Sequence, residues 1–254
     1  MIRYVIRRLL LLLLTILLTS FVIFALTELL PGDVARLVLG RDASPTAIAN
    51  FNEEFGLDDP ALQRYLTWLG GFVTADWGLS YTAGRPPVRP LVIERLGNSL
   101  RLAFATLLLT VPIAVLLGVI AALREGSWVD SSISIVSLSI VGLPEFVAGI
   151  ILINIFALGL GWFNAASLVT AQMGLGGWIR ALTLPAVTAS FVLVGYIIRM
   201  TRAGMLEELR KPYVRTAQLK GLPRRVVIVR HVLRNALMPT ITVIAISIGW
   251  LMGG

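Results

Sequence analysis

The sequence predicts an all-α, polytopic membrane protein, and three observations carry that prediction. Hydrophobic residues make up 57% of the chain and charged residues only 14%, far from the soluble average. Several apolar runs approach or exceed the ~20 residues that cross a bilayer. Clusters of Gly, Pro and charge punctuate those runs, as loops do. The predicted architecture has four full spans and a partial fifth, with one small helical subdomain between the first two.

Residues 1–30 form the N-terminal tail and first span. Arg3, Arg7 and Arg8 precede a run from Leu9 that carries no charge before Glu28. The run is too long for a signal peptide and lacks a small-x-small cleavage pattern, so it reads as an uncleaved span. Leu30-Pro31-Gly32-Asp33 ends it, because Pro and Gly cannot continue a helix.

Residues 31–101 are of a different kind, with seven basic and eight acidic residues. Ser44-Pro45 through Gly56 predicts a short helix capped by Ser44, with Pro45 at its first position. Pro60 to Val73 predicts a second, with Leu62, Tyr65, Leu66 and Leu69 at helical spacing. Asp76 to Ser80 and Gly84 to Pro87 are turn-rich connectors. The stretch reads as an external subdomain too small to be an independent enzyme.

Residues 102–254 form the core. Span 102–123 contains Pro112, which a membrane helix tolerates when neighbouring groups satisfy the freed carbonyl. The 131–160 stretch would be about 45 Å long as one helix. It must therefore tilt, kink or leave the hydrocarbon, and Gly142-Leu143-Pro144 is its obvious break. Glu145 follows that break. Residues 159–180 are a Gly- and Trp-containing link, and 181–198 is the fourth span. The segment 239–254 begins a fifth span but is too short to cross, so the sequence reads as truncated at its C-terminus.

The net charge of +8 does not mark a nucleic-acid partner, since no basic–aromatic interleaving accompanies it. With the N-terminus inside, the inside segments 1–8, 124–130 and 199–238 hold fourteen of the 22 basic residues. This agrees with the accumulation of Lys and Arg on the cytoplasmic side. There is no cysteine and one histidine, His231, so thiol chemistry, disulfides and a histidine-built metal site are excluded.

The loop 199–238 is the most basic segment between apolar runs. Pro212 stops the helix arriving from the fourth span and suits the first position of a new one. Residues 213–220 give about two turns, Gly221 suits a left-handed C-terminal cap, and Pro223 forbids continuation. A further helix from Arg224 leads to Pro239. Small Thr216 and Ala217 leave room for a partner surface, while Arg215 and Lys220 can meet acidic groups on it. On these residues alone, a docking helix and a merely topogenic basic loop both remain open.

Glu207-Glu208-Leu-Arg-Lys-Pro212-Tyr213-Val-Arg215-Thr216-Ala217-Gln-Leu-Lys220-Gly221, followed by Arg230-His231-Val-Leu-Arg234-Asn235-Ala-Leu-Met-Pro239, resembles the cytoplasmic signature of ATP-binding-cassette (ABC) importer permeases. The likeness is greatest to the dipeptide/oligopeptide/nickel branch. Leu30 to Asp33, Phe55-Gly-Leu-Asp58 with Tyr65-Leu-Thr-Trp68, and Asp76 to Ser80 resemble the first permease subunit of that branch. The general signature of Glu-Ala-Ala, three residues and Gly is met only at Ala217 and Gly221; Arg215 and Thr216 stand at the other two places.

The resemblance implies a type I-like importer transmembrane domain with six spans, and a coupling helix at Tyr213–Gly221 that fits a groove in an ATPase. It also implies partners: a second homologous permease subunit, two cytoplasmic ATPase subunits and an extracytoplasmic solute-binding protein. No glycine-rich phosphate loop ending in Lys-Ser/Thr occurs in the sequence, so ATP and Mg²⁺ are expected on the ATPases and no cofactor on this chain. The solute would be a di- or oligopeptide, or a related species such as nickel.

Pro144 and Glu145 are candidates for the translocation path, because ionisable residues within a membrane often mark one. A structural role for Glu145 beside the break is the other reading. Glu28 reads as interfacial. No catalytic residue is assigned. The rival classes are a secondary transporter or channel driven by an ion gradient through Glu145, and a non-transporting scaffold.

Overall fold

The computed structural model describes residues 2–29, 32–40, 42–82, 84–167 and 173–253. The expected stop at Leu30-Pro31 and the middle of the 159–180 link lie outside the described residues. Two units make up the chain, Met1–Glu94 and Arg95–Gly254. Helix is the dominant regular structure of the described residues, which otherwise hold turns, connectors and one isolated antiparallel bridge, Leu79 to Pro87.

In the first unit, α1 (Ile2–Leu29) buries none of its residues. An apolar helix with no protein cover is stable where lipid or another subunit surrounds it. The short helices α2 (Val34–Leu39), α3 (Pro45–Phe55) and α4 (Ala61–Thr74) follow. Asp33 caps α2 by accepting from the Ala35 and Arg36 N–H groups, and Ser44 Oγ caps α3 by accepting from Ala47. These bonds satisfy amides that a helix start leaves orphaned.

Tyr65 joins α4 to α1. Its hydroxyl lies 2.9 Å from Ser20 Oγ, its ring packs against Phe21 and Phe24, and Arg64 beside it pairs with Glu28. Glu28, expected at the interface, thus has a partner inside its own unit. The connector from Asp76 to Pro87 is held by Tyr81 on Phe51 and Phe55 and by an Arg85–Glu54 ion pair.

The second unit is built on α8 (Leu175–Leu209), which has 13 buried residues. Against it pack α6 (Trp128–Val141), α7 (Glu145–Leu152), α10 (Arg224–Ala236) and α11 (Met238–Gly253). The helix α5 (Val88–Leu123) lines its buried side with Ala103, Thr106, Thr110, Ala114 and Gly118. Small residues at helical spacing let membrane helices approach closely, which supplies packing where water does not drive association.

Both long helices exceed the expected spans. The sequence places spans at 102–123 and 181–198, whereas α5 begins at Val88 and α8 runs from Leu175 to Leu209. An apolar-run reading finds only the length that lipid requires, while the helix continues until a breaker stops it. At 36 and 35 residues these helices are each about 50 Å long and project beyond a ~30 Å hydrocarbon core. Pro185 lies well inside α8.

The long apolar stretch 131–160 is divided where Gly142-Leu143-Pro144 predicts. The α6 helix ends at Val141, α7 starts at Glu145, and they meet at 97°. Beyond α7 the chain continues as a π-helical segment, Ile153–Gly159. A milder bend of 47° separates α10 from α11, with Pro239 in the first turn of α11. Among the described residues three helices are long and apolar enough to cross a membrane, and up to five spans result if each bent pair counts as one.

Two glycines in α8 permit its packing. A Cβ on Gly195 would overlap Val141 Cγ2 and the Ser137 carbonyl, and one on Gly204 would overlap the Ala236 carbonyl oxygen. In both places backbone lies where a side chain would stand. Gly204→Ala is therefore expected to lower stability by about 1–3 kcal/mol, the usual cost of overpacking. Gly97→Ala in α5, where a Cβ meets nothing within 4 Å, is the control and should be neutral or stabilising by up to about 1 kcal/mol. Thermal unfolding of the purified protein in detergent measures both; equal effects would refute the packing argument.

Candidate functional site

The basic loop is a designed sequence of stops. The α8 helix ends at Leu209, and Lys211 takes an extended conformation (φ −72°, ψ 146°), as the residue before a proline must. Pro212 then opens α9 (Pro212–Leu219) at the first helical position. At its end Gly221 adopts φ +79°. Its N–H donates to the Gln218 carbonyl at 2.9 Å, and the Leu222 N–H to the Ala217 carbonyl at 3.3 Å. That pair of bonds is the Schellman closure, which satisfies carbonyls the helix end would leave open. Pro223 flanks the start of α10, whose Val227–Val232 section is π-helical and carries half-buried His231.

The eight residues of α9 have two faces. Val214 is buried in a cluster with Ala122, Met205, Val227, Val232 and Ala236, and Tyr213 and Ala217 pack partly against it. Arg215, Thr216, Gln218, Leu219 and Lys220 are exposed. Of the six coupling candidates, Arg215, Thr216 and Lys220 therefore present themselves to a partner. Tyr213 and Ala217 instead hold the helix in place, and Gly221 ends it. Leu219 was not singled out from the sequence, yet it is 81% exposed. The signal was available: with Val214 and Ala217 facing inward, helical spacing turns Leu219 outward.

Glu208 fixes the entry to α9. Its buried carboxylate pairs with Lys211 and accepts from the Tyr213 hydroxyl at 2.6 Å. Glu208 lies beyond the apolar run that ends at Ile198. The hydrogen bond from Lys211, then that from Tyr213, lowers its pKa below the usual 4.5. The same carboxylate raises Lys211 above 10.5. Burial, then the bond to Glu208, raises Tyr213 above 10.0.

Two further ion pairs tie the 124–130 connector to the end of α8. Arg202 makes a bidentate pair with Asp130 at 2.6 and 2.7 Å, and Arg210 pairs with Glu125 at 2.7 Å. Asp130 also accepts from the Gly126 N–H at 3.0 Å. Planar, two-bond pairing fixes direction as well as distance. Deeper in the unit, the buried hydroxyls of Thr201 and Thr240 lie 3.1 Å apart, joining α8 to α11.

Pro144 and Glu145 occupy a different element. Pro144 flanks the start of α7 and is exposed, and Glu145 is half-buried in the first turn of α7. No ion pair to Glu145 occurs among the described residues, nor does any hydrogen bond link it to the loop. Among the described residues no three His, Asp or Glu side chains converge as metal ligands.

These features define a helical membrane domain with a short helix held at both ends by polar contacts. Comparison with known proteins gives that class a family. Residues 114–254 match the binding-protein-dependent transport system inner membrane component family, and residues 1–96 match its N-terminal membrane component. The chain belongs to this family, the permease subunits of ABC importers, in the peptide/oligopeptide branch. It is a multi-pass inner membrane protein.

Its relatives include a Brucella abortus protein that bears the name of a peptide transport system permease. The two are 36% identical over 238 residues, covering 94% of this chain and 76% of the relative. The oligopeptide transport system permease AppB of Bacillus subtilis is 34% identical over 99% of this chain and 80% of its own. The glutathione transport system permease GsiC of Escherichia coli K12 is 32% identical over 100% and 80%. Family membership sets aside the ion-gradient carrier and the scaffold as readings of the chain.

Asp130→Ala leaves the Arg202 guanidinium without its carboxylate. The expected loss is about 1–3 kcal/mol, less than for a fully buried pair because the Arg202 side chain is 30% exposed. Asp130→Asn/Arg202→Gln together should lose less than the single change to Ala, and thermal unfolding decides. The Glu208 network gives a pH window. A lowered carboxylate contributes stability above its unfolded value and loses it as pH falls through the folded one. A raised lysine contributes below its unfolded value and loses it as pH rises. The hold on α9 is thus complete between about pH 4.5 and 10.5. Hydrogen exchange across 212–222, corrected for the intrinsic pH dependence, should stay constant from pH 5 to 8 and accelerate below pH 4.5. In Glu208→Gln that acid step should be missing.

Proposed function

We propose that this permease carries di- or oligopeptides, with related solutes such as nickel chelates as the wider class, and that it couples to its ATPases through the exposed face of α9. The names of its relatives support the peptide reading. The observation that carries the coupling reading is the two-faced α9, anchored by Glu208 and ended by Gly221, with Arg215, Thr216, Leu219 and Lys220 left exposed. Arg215 is of a residue type enriched at interface hot spots, and the exposed Leu219 adds apolar area that a partner can cover.

In this reading the N-terminus, the 124–130 connector and the α9 loop are cytoplasmic, and the short helices α2 to α4 are extracytoplasmic. The chain performs no catalysis and binds no cofactor; ATP and Mg²⁺ belong to two ATPase subunits. A second homologous permease completes the membrane portion, for which the uncovered α1 is a candidate surface. A solute-binding protein delivers the peptide. ATP-driven closure of the ATPases moves α9, and α9 moves the spans packed on α8. The states so exchanged differ in population only if the ATPases bind them with different affinity. Pro144 and Glu145 are proposed to border the path.

The test uses the whole complex in proteoliposomes with a labelled dipeptide. Leu219→Asp should abolish ATP-dependent uptake, and Leu219→Ala should weaken ATPase retention by about tenfold, at unchanged permease level. Gly221→Val forces a β-branched residue into the left-handed region and should lose coupling. Normal uptake by Leu219→Asp and Gly221→Val would sink the coupling assignment. Absence of transport for every di- and oligopeptide in the wild type, with coupled ATPase activity intact, would sink the substrate assignment alone.

A further inference from the structure

Beside α9, on the edge turned toward α10, lies a cavity of about 630 Å³. Its polar wall is Arg210, Lys211, Arg215, Arg224 and Gln218, and its floor includes Val214 and Val227, both buried. No carboxylate lines it. The four cations are not equivalent. Arg210 is held by Glu125, and Lys211 by Glu207 and Glu208. Arg215 and Arg224 have no ion pair among the described residues, although they come from different helices and line one cleft. Like charges brought together against an apolar floor repel and raise the local positive potential, which a low-dielectric wall focuses.

A second contribution comes from the backbone. The N-terminus of α9 opens beside Lys211 and Pro212, which line the same cavity, and Lys211 makes no side-chain capping bond there. Pro212 carries no N–H and the Val214 N–H already donates to the Lys211 carbonyl at 3.1 Å, so what this helix start offers an anion is its partial positive charge. The Gln218 amide adds a neutral donor. Guanidinium groups arranged about one small volume are suited to two-bond recognition of phosphate oxygens.

We propose that this cleft binds a phosphate group, held between Arg215 of α9 and Arg224 of α10. A bound phosphate bridges the two helices, so it stiffens the loop at the element whose movement the permease transmits. The site is independent of which solute is carried. It is also distinct from the exposed edge of Thr216, Leu219 and Lys220, none of which lines the cavity. Two sources present the same chemistry: the headgroup of an anionic lipid, which basic pockets beside membrane helices attract, and soluble phosphate.

The experiment uses the complete transporter in nanodiscs and reads hydrogen exchange across residues 212–226. One disc is pure phosphatidylcholine, the other contains about a fifth phosphatidylglycerol, each with and without millimolar inorganic phosphate. Slowing of exchange by about tenfold (about 1.4 kcal/mol) with phosphatidylglycerol alone identifies a headgroup. The same slowing with inorganic phosphate in phosphatidylcholine identifies the soluble ion. Either result must vanish in Arg224→Gln and persist in part in Arg224→Lys. No slowing in any condition, or an equal response in Arg224→Gln, overturns the proposal. Full protection in phosphatidylcholine without phosphate, lost only on removing the ATPases, also overturns it, because an acidic protein surface would then occupy the cleft.

Discussion

Whatever α9 transmits depends on α8 being a single helix from Leu175 to Leu209. Its backbone bonds run unbroken from the apolar packing core through Thr201 to Glu208, so displacement of one end is passed on as rigid motion. Gly195 and Gly204 bring α6 and α10 against that rod at backbone distance, and the Thr201–Thr240 contact adds α11. Loops absorb displacement by changing dihedrals; a packed helix cannot do so without breaking hydrogen bonds that lipid does not replace. The short extended step at Lys211 is the sole joint between this rod and α9, and Glu208 reaches across it to hold Lys211 and Tyr213.

The joint explains why the loop's punctuation is so exact. Pro212 and Gly221 limit α9 to two turns, which leaves Val214 as its one fully buried residue. Isolated helices of that length are not stable in water. The helix persists because Val214 docks in the cluster of Met205, Val227 and Val232, and because both ends are tied down, one by the Glu208 network and the other by the Schellman closure. A longer α9 would swing its exposed face away from the rod, and a shorter one would lose Leu219 from that face.

These stops were legible in the sequence because proline and glycine act locally, within one or two residues of themselves. The break at Gly142-Leu143-Pro144 was legible for the same reason, and so was the cap at Ser44. What escaped were pairings across distance. Asp130 and Arg202 are 72 residues apart and Glu125 and Arg210 are 85; nothing local distinguishes these charges from topogenic ones. The 97° angle at Pro144 was equally out of reach, since a breaker marks where a helix ends but not where the chain goes next. Helix extent failed differently: α5 and α8 overrun their apolar segments because hydropathy reports the solvent while the helix obeys its breakers.

The excess positive charge of the loop can now be divided by what it does. Arg202, Arg210 and Lys211 are matched by Asp130, Glu125, Glu207 and Glu208, and serve to fix α8 and α9. Lys220 stands on the exposed edge beside Thr216 and Leu219. Arg215 is exposed on the coupling face and also borders the cavity that Arg224 lines, and neither has an ion pair among the described residues. They face one cavity without a carboxylate, an arrangement that a structural or purely topogenic role does not require. A topogenic charge needs only the correct side of the membrane, and it gains nothing from a concave apolar floor or from a like-charged neighbour on another helix. Two guanidinium groups without ion pairs among the described residues, bordering one cavity with an apolar floor, are the physical reason to look for an anion between them.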